Sequence, residues 1–421
     1  MVKLSLCMIV KNEEKNIEKA LSSARDIAFE SIVVDTGSTD MTVEIAEKAG
    51  AKVVRFDWVN DFAAARNFGI GQATGDWILI LDADEFLYPK DAARLSDFLE
   101  KMLSDHNEWG RYLAVSCMVV NLNDSGRKMT KSKSVRIFRN IPSIRYTGRI
   151  HEQLTIDASA ITHAGDFSLM HTGYSESAHN ETGKRQRNIA LLREELAADP
   201  KNMNLKAYLA NSLSMGTDEE SQSEAEKLFI EILSCPSGEC VNAVLKVKLF
   251  IFLINKYSND RGRLPECEEM CRRAIAAFPG AIDFEYLMAE IMSKNGEYKA
   301  AWDLLKGCEE KLVNGGDSGD SIMITADPTL LFSQMILTAK ILGDIENVVL
   351  YSTHVLTIDK TRQSVLGPCI ATLLYYGVSE TETIGLLSNI YDFNDSDDKN
   401  IIAQAAESCG ATDFASRIRE S

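Results

Sequence analysis

The chain predicts an α/β domain followed by an all-α repeat domain, and three observations carry that prediction. The apolar run at 77–81, bounded upstream by Gly75, is too short for an ordinary helix and reads as a strand buried on both faces. Strand-like and helix-like runs alternate around it, the pattern of a doubly wound parallel sheet. From Glu176 onward helical periodicity takes over and part of it repeats, at a period of about 34 residues.

Leu4 to Val10 is the first expected strand, and a polar stretch leads from it into a helix ending near Ala24. Ser31-Ile32-Val33-Val34-Asp35 is the second, with a carboxylate at its C-terminal end. Thr36-Gly37-Ser38-Thr39-Asp40 is a turn rich in capping residues that opens a helix over 41–49. A third strand follows at 51–56. Asp61 then caps a helix over 62–72 that carries Arg66 and Asn67. A helix is expected from Pro89 to about Ser104, and β-like runs at 112–122 and 134–138.

The second half shows three helix–turn–helix units, at 200–233, 279–312 and 328–358. Tyr208, Leu209, Leu213, Ala225, Leu228 and Phe229 take core positions in the first. Tyr286, Leu287, Ile291, Ala301 and Leu305 do so in the second, and Gly343 marks the turn of the third. A Gly/Asp/Ser-rich loop at 313–326 interrupts them. Stacked helix pairs form a solenoid with a concave binding surface. The expected domains are 1–178, a connecting helix over 179–200, and repeats over 201–421.

Composition narrows the class. A chain of 421 residues with 45% hydrophobic and 25% charged residues is an ordinary globular protein with room for two or three cores. A net charge of -17 argues against a general nucleic-acid binder, which needs a basic stripe. No apolar run approaches the roughly 20 residues of a membrane span, and 4–10 is too short for a signal peptide. Nine scattered cysteines without a CxxC pair favour reduced thiols and a cytoplasmic setting. Cys267 and Cys271 share a helix face but have no histidine at zinc-ligand spacing.

The chemistry concentrates at Asp82-Ala83-Asp84, where the 77–81 strand should end. Side chains two apart on an extended segment point the same way, so both carboxylates can face one ligand. Ligands of open α/β sheets sit beyond the carboxyl ends of the strands. A hard divalent cation carrying a diphosphate suits such a pair, because the phosphates fill its remaining positions. Taken alone, the stretch reads first as a solvated turn after a core strand, since acidic residues often end strands.

Four ordered segments together resemble a family 2 glycosyltransferase of the GT-A fold. They are Ser5-Leu6-Cys7-Met8-Ile9-Val10-Lys11-Asn12-Glu13, Val33-Val34-Asp35-Thr36-Gly37-Ser38-Thr39-Asp40, Asn60-Asp61-Phe62-Ala63-Ala64-Ala65-Arg66-Asn67 and Asp82-Ala83-Asp84. The likeness covers roughly 1–178. Gly148-Arg149-Ile150-His151-Glu152, His171-Thr172-Gly173-Tyr174 and the tetratricopeptide-like helices narrow it. With them the chain is similar to bacterial flagellin O-glycosyltransferases and sublancin-type S-glycosyltransferases.

The resemblance implies a GT-A, Rossmann-like nucleotide-sugar domain ahead of a tetratricopeptide-like solenoid. It puts Asp35 near the uracil of a UDP-sugar, although Thr36 stands where many members have a second acid. It places Ile9, Lys11, Arg66 and Asn67 along the donor and Asp82 at the ribose or metal. Asp84 and His171 become metal ligands, and Glu152 the catalytic base of an inverting reaction. Mn²⁺ or Mg²⁺ suits that oxygen and imidazole set, the imidazole tilting towards Mn²⁺. The residues leave alternatives. Asp35 can cap a helix, His171 can order a turn, and Arg66 can bridge to an acid. Glu152 can pair with Arg149, with His151 beside it a competing base; His163 and His179 fit no motif and read as surface residues.

The expected function is metal-dependent transfer of a hexose or N-acetylhexosamine to a protein, with flagellin Ser or Thr favoured and the repeats recognising the acceptor. Transfer to Cys of a bacteriocin-like peptide is the runner-up, and a non-catalytic scaffold the third reading. A monomer and a homodimer formed through the repeats are both compatible with the sequence.

Overall fold

The computed structural model describes residues 3–104, 110–122, 126, 128–172, 182–235, 241–316 and 321–420. It divides into two compact units, Met1–Gly216 and Thr217–Ser421.

The first unit is built on an eight-stranded sheet. Its strands are β1 (Leu4–Val10), β2 (Glu30–Asp35), β3 (Lys52–Arg55), β4 (Trp77–Ile80), β5 (Glu85–Leu87), β6 (Ala114–Leu122), β7 (Lys128–Arg139) and β10 (Ile161–His171). They lie in the order β3-β2-β1-β4-β7-β6-β10-β5. The helices α1 (Ile17–Ala24), α2 (Thr42–Lys48) and α3 (Phe62–Ile70) follow the first three strands, and α4 (Pro89–Ser104) follows β5.

Period-two alternation decides which residues face which layer. Leu4, Leu6, Met8, Val10, Trp77, Leu79 and Leu81 pack with α1 and α4 residues such as Ile17, Leu21, Leu95 and Leu99. Cys7, Ile78 and Ile80 point the other way, towards Ala63 and Ile70 of α3. Both faces of β1 and β4 are therefore covered, which is why they read as unbroken apolar runs.

The all-parallel sheet expected from the alternation is corrected to a mixed one. β1 runs parallel to β2 and β4, and β2 to β3. β7, however, is antiparallel to both β4 and β6, and β5 is antiparallel to β10. Residues 123–127 are too few for the crossover that parallel neighbours require, so β6 and β7 must be antiparallel. β5 leaves β4 after one tight turn, closed by Glu85 N–H donating to the Asp82 carbonyl at 3.0 Å. It therefore pairs with distant β10, and the sheet curls. A two-stranded ribbon, β8 (Tyr146–Thr147) with β9 (Gln153–Leu154), carries the 148–152 loop between its strands.

Two further helices, α5 (Thr182–Ala198) and α6 (Met203–Ser214), belong to the first unit. The division at 216 differs from the domain start expected at 201. One reason is visible in α6, where Tyr208 stacks on His151 with ring centroids 3.8 Å apart and planes inclined by 11°.

The second unit is all-α from Glu219 to Glu420 among the described residues. Two of the three expected pairs appear as Ile282–Lys294 with Tyr298–Asn314 and Thr329–Leu342 with Ile345–Ile358, while the helices of the first, α6 and Glu219–Ser234, fall one in each unit. The second turn is made by Gly343 in the left-handed region at φ 77°. Pairs the periodicity did not single out lie at Ala243–Ser258 with Leu264–Ala277, and at Ser396–Ser408 with Thr412–Glu420. The Gly/Asp/Ser-rich insertion is partly outside the described residues. Its end is tied down by buried Asp283, whose carboxylate accepts from the N–H groups of Ile322, Met323 and Ile324. No helix among the described residues is long and apolar enough to cross a membrane.

Candidate active site

The carboxyl ends of β1 and β4 open into a cleft of about 440 Å³. Ile9 and Val10 line it from β1 and Lys11 from just beyond, Asp82, Ala83 and Asp84 from the turn after β4, and His151, Glu152 and His171 from later segments. Four stretches far apart in sequence thus meet where an α/β sheet holds its ligands.

Arg66 joins two of the acids. α3 starts cleanly because the Asp61 carboxylate caps it, accepting from Ala64 N–H at 2.8 Å. It lies close against the sheet because a Cβ at Gly69 would stand 2.8 Å from Val34 Cγ2. That seating buries Arg66, which is 9% exposed. Its Nε donates to Glu152 Oε1 at 2.6 Å and its Nη2 to Asp82 Oδ1 at 2.9 Å. The 148–152 loop is carried to this arginine by Phe62 N–H donating to the Arg149 carbonyl at 2.8 Å. Within the loop, His151 sits at φ 52°, a region bulky residues rarely adopt.

A second arginine, Arg136 on β7, donates to Glu85 Oε1 at 2.6 Å and lies 3.5 Å from Asp82 Oδ2. Asp82 keeps 36% of its side chain exposed towards the cleft. Burial alone would raise its pKa, but Arg66 and then Arg136 outweigh it and hold the carboxyl well below the usual range. Glu85, almost wholly buried, is pushed upward by burial and then by the charge of Asp82. Burial, only partly offset by Arg66, raises the Tyr146 phenol to about 12. This layer of alternating charges fixes the floor of the cleft. Removing one partner of such a buried pair costs about 3–5 kcal/mol. Arg66 and Glu152 also line a second cavity of about 300 Å³ beside it, with Arg136 and Tyr146.

Asp84 and His171 form the other group. The Asp84 carbonyl accepts from both the N–H and the hydroxyl of Thr172, each at 3.0 Å, which ties the end of β10 to the turn after β4. His171 Nε2 then lies 3.3 Å from Asp84 Oδ2. Its Nδ1 is 2.7 Å from Asn121 Oδ1, so Nδ1 carries the proton and Nε2 is turned to the cleft. Burial opposes the charged ring, yet the hydrogen bond and charge of Asp84 raise its pKa overall. Two donors 3.3 Å apart suit adjacent positions on one ion with bonds of about 2.1 Å. No group of three His, Cys, Asp or Glu side chains is placed to hold an ion by itself among the described residues. Asp82, expected at the ribose or the metal, has its two oxygens beside guanidinium groups.

Other expected residues fall as follows. Asp35 is buried and accepts from Ser38 N–H at 2.9 Å, while neighbouring Thr36 lines the cleft. Asn67 does not line the cleft. Its amide is taken up by the Tyr146 backbone, donating to the carbonyl at 2.8 Å and accepting from the N–H at 2.9 Å. Arg149 pairs with Glu194 and Glu195 of α5, not with Glu152. His179, Gly173, Tyr174 and the His163 side chain lie outside the described residues. Sequence reasoning missed Arg136, Glu85 and Asn121. A charged residue between Val135 and Ile137 on a strand was the one available signal.

The Glycosyl transferase family 2 model matches residues 5–158. A TPR repeat-containing protein of Synechococcus elongatus is 31% identical over 319 residues, covering 66% of this chain and 76% of that relative. The SPbeta prophage-derived glycosyltransferase SunS of Bacillus subtilis is 31% identical over 227 residues, 51% of this chain and 50% of SunS. An uncharacterized glycosyltransferase of Rickettsia conorii is 39% identical over 129 residues, 30% of this chain and 44% of that protein. The chain spans half or less of the length of these last two relatives. Among solved structures, S. aureus TarS 1-349 in complex with UDP-GlcNAc is 18% identical with a TM-score of 0.35, covering 59% of this chain and 87% of that one. The chain belongs to glycosyl transferase family 2. It is a glycosyltransferase with a C-terminal helical region.

Proposed function

We propose that this enzyme transfers a hexose or N-acetylhexosamine from a UDP-sugar to a protein, with inversion at the anomeric carbon. The observation that supports the reading is the meeting of Asp82, Asp84, Glu152 and His171 on one cleft. In the proposed step, the acceptor oxygen bonds to the anomeric carbon as the bond from that carbon to the diphosphate breaks. The diphosphate leaves with the electron pair, and Glu152 takes the acceptor proton on the oxygen not held by Arg66. Arg66 orients that carboxylate, and Ile9 and Lys11 flank the donor. Asp84 and His171 are the residues suited to hold Mn²⁺ or Mg²⁺, which when bound neutralises charge on the diphosphate as a Lewis acid. Asp82, already paired with arginine, supports the donor's ribose in this reading, and Asp35 shapes the loop that meets the base.

The helical region, 201–421 in the division read from sequence, is proposed to recognise the acceptor, with Ser or Thr of flagellin favoured. The same base serves a thiol, so Cys of a bacteriocin-like peptide is the second reading. The test is UDP release from UDP-sugars with Mn²⁺ or Mg²⁺, with mass spectrometry of flagellin and of candidate peptides. Asp84→Ala should abolish metal-dependent UDP binding. Glu152→Gln should keep it and lower kcat by about 10²–10⁴-fold. No UDP release and no metal-dependent UDP binding by the wild type would overturn the reading.

A further inference from the structure

The arginines of the cleft floor are already engaged. Arg66 lies between Asp82 and Glu152, and Arg136 between Glu85 and Asp82. The rest of the wall sets Lys11 against Glu13 and Asp84, so without α5 the acids of the cleft outnumber its cations where a diphosphate enters. Helix α5 brings the opposite charge. Lys184, Arg187 and Asn188 all line the cleft. Their spacing of i, i+3 and i+4 puts them on one helix face. The Arg187 guanidinium rests 5.2 Å from the centroid of Phe62, another cleft residue, which directs it along the wall.

We infer that Lys184 and Arg187 grip the diphosphate of the donor, so that α5 is a working part of the donor site. The inference rests on the UDP-sugar reading. It assigns a binding role to a helix beyond residues 5–158, where the family match ends. The planar guanidinium engages two phosphate oxygens at once, and the lysine adds a mobile point charge. As the sugar leaves, the same two cations face the charge building on the departing diphosphate.

Calorimetry on the full chain tests this, with UDP and UMP as probes in the presence of Mn²⁺. Both side chains are exposed, so substitution leaves the core intact. Lys184→Ala/Arg187→Ala should weaken UDP binding about tenfold or more, the scale of a lost charge-assisted hydrogen bond. UMP binding should change by less, and Arg187→Lys should retain part of the affinity. UDP binding by the double variant within twofold of wild type would overturn the inference, as would equal losses for UMP and UDP. Wild type that binds neither nucleotide would overturn the donor reading itself, and the inference with it.

Discussion

Asn121 makes one hydrogen bond that sets the chemistry of a neighbour. By accepting from Nδ1 of His171 it fixes the tautomer whose Nε2 faces Asp84. Removing such an orienting partner typically costs 10–100-fold in metal affinity. Asn121→Ala is therefore expected to weaken Mn²⁺-dependent UDP binding by roughly that factor, read by titrating the metal at fixed UDP on the folded variant. Unaltered metal dependence would remove Asn121 from the site. Residue pairs like this one are illegible in a sequence. Asp82 and Asp84 stand out because they are two apart after an apolar run, whereas Asn121 and His171 are 50 positions apart and meet only through the pairing of β6 with β10.

At the scale of the element, α3 shows how close packing places a charge. Gly69 lets the helix lie against β2, and an added Cβ would meet Val34 Cγ2 at 2.8 Å. Gly69→Ala should destabilise the first unit by about 1–3 kcal/mol through overpacking. It should also lower activity, because Arg66 on the same helix shifts from Glu152; denaturant melts paired with kcat measurements check both. In the second unit, the Ile282–Lys294 helix carries Glu290, which accepts from the Tyr286 hydroxyl at 2.9 Å. Burial raises its pKa, only partly offset by the Tyr286 bond and Lys294. The folded state thus holds this proton more tightly than the unfolded chain. Stability falls as pH rises from about 4.3, the unfolded carboxylate value, through the raised folded value, and the penalty is full at neutral pH. Glu290→Gln should raise Tm at pH 7, with the difference vanishing below about pH 4, as paired thermal melts at the two pH values would show.

For the whole molecule, the division at Gly216 matters most, since it leaves α5 and α6 with the sheet. A chain shortened to residues 1–216 is expected to keep metal-dependent UDP binding and slow donor hydrolysis, and to lose transfer to protein. Undiminished protein transfer by a folded fragment would refute the recognition role of the helices. A cut at 200 would also remove Tyr208, which stacks on His151 beside the base. The sequence reading starts the repeats at 201 because α6 has the same helical periodicity as the helices that follow. Periodicity reports which face of a helix is apolar, not what packs against it.

What the sequence by itself determined was local. Unbroken apolar runs specified β1, β2 and β4, Asp61 specified the start of α3, and the Asp82-Ala83-Asp84 spacing with its companion motifs specified a glycosyltransferase. The antiparallel placement of β7 and β5, the pairing of Asp82 with two arginines, the diversion of Asn67 to the Tyr146 backbone and the arrival of Lys184 and Arg187 at the cleft were decided by tertiary structure alone. Each depends on contacts between segments tens of residues apart, and a linear pattern of polarity contains no term for those. Both carboxylates of the turn after β4 line the cleft, Asp84 beside His171 and Asp82 between two arginines, and only the folded chain shows those partners.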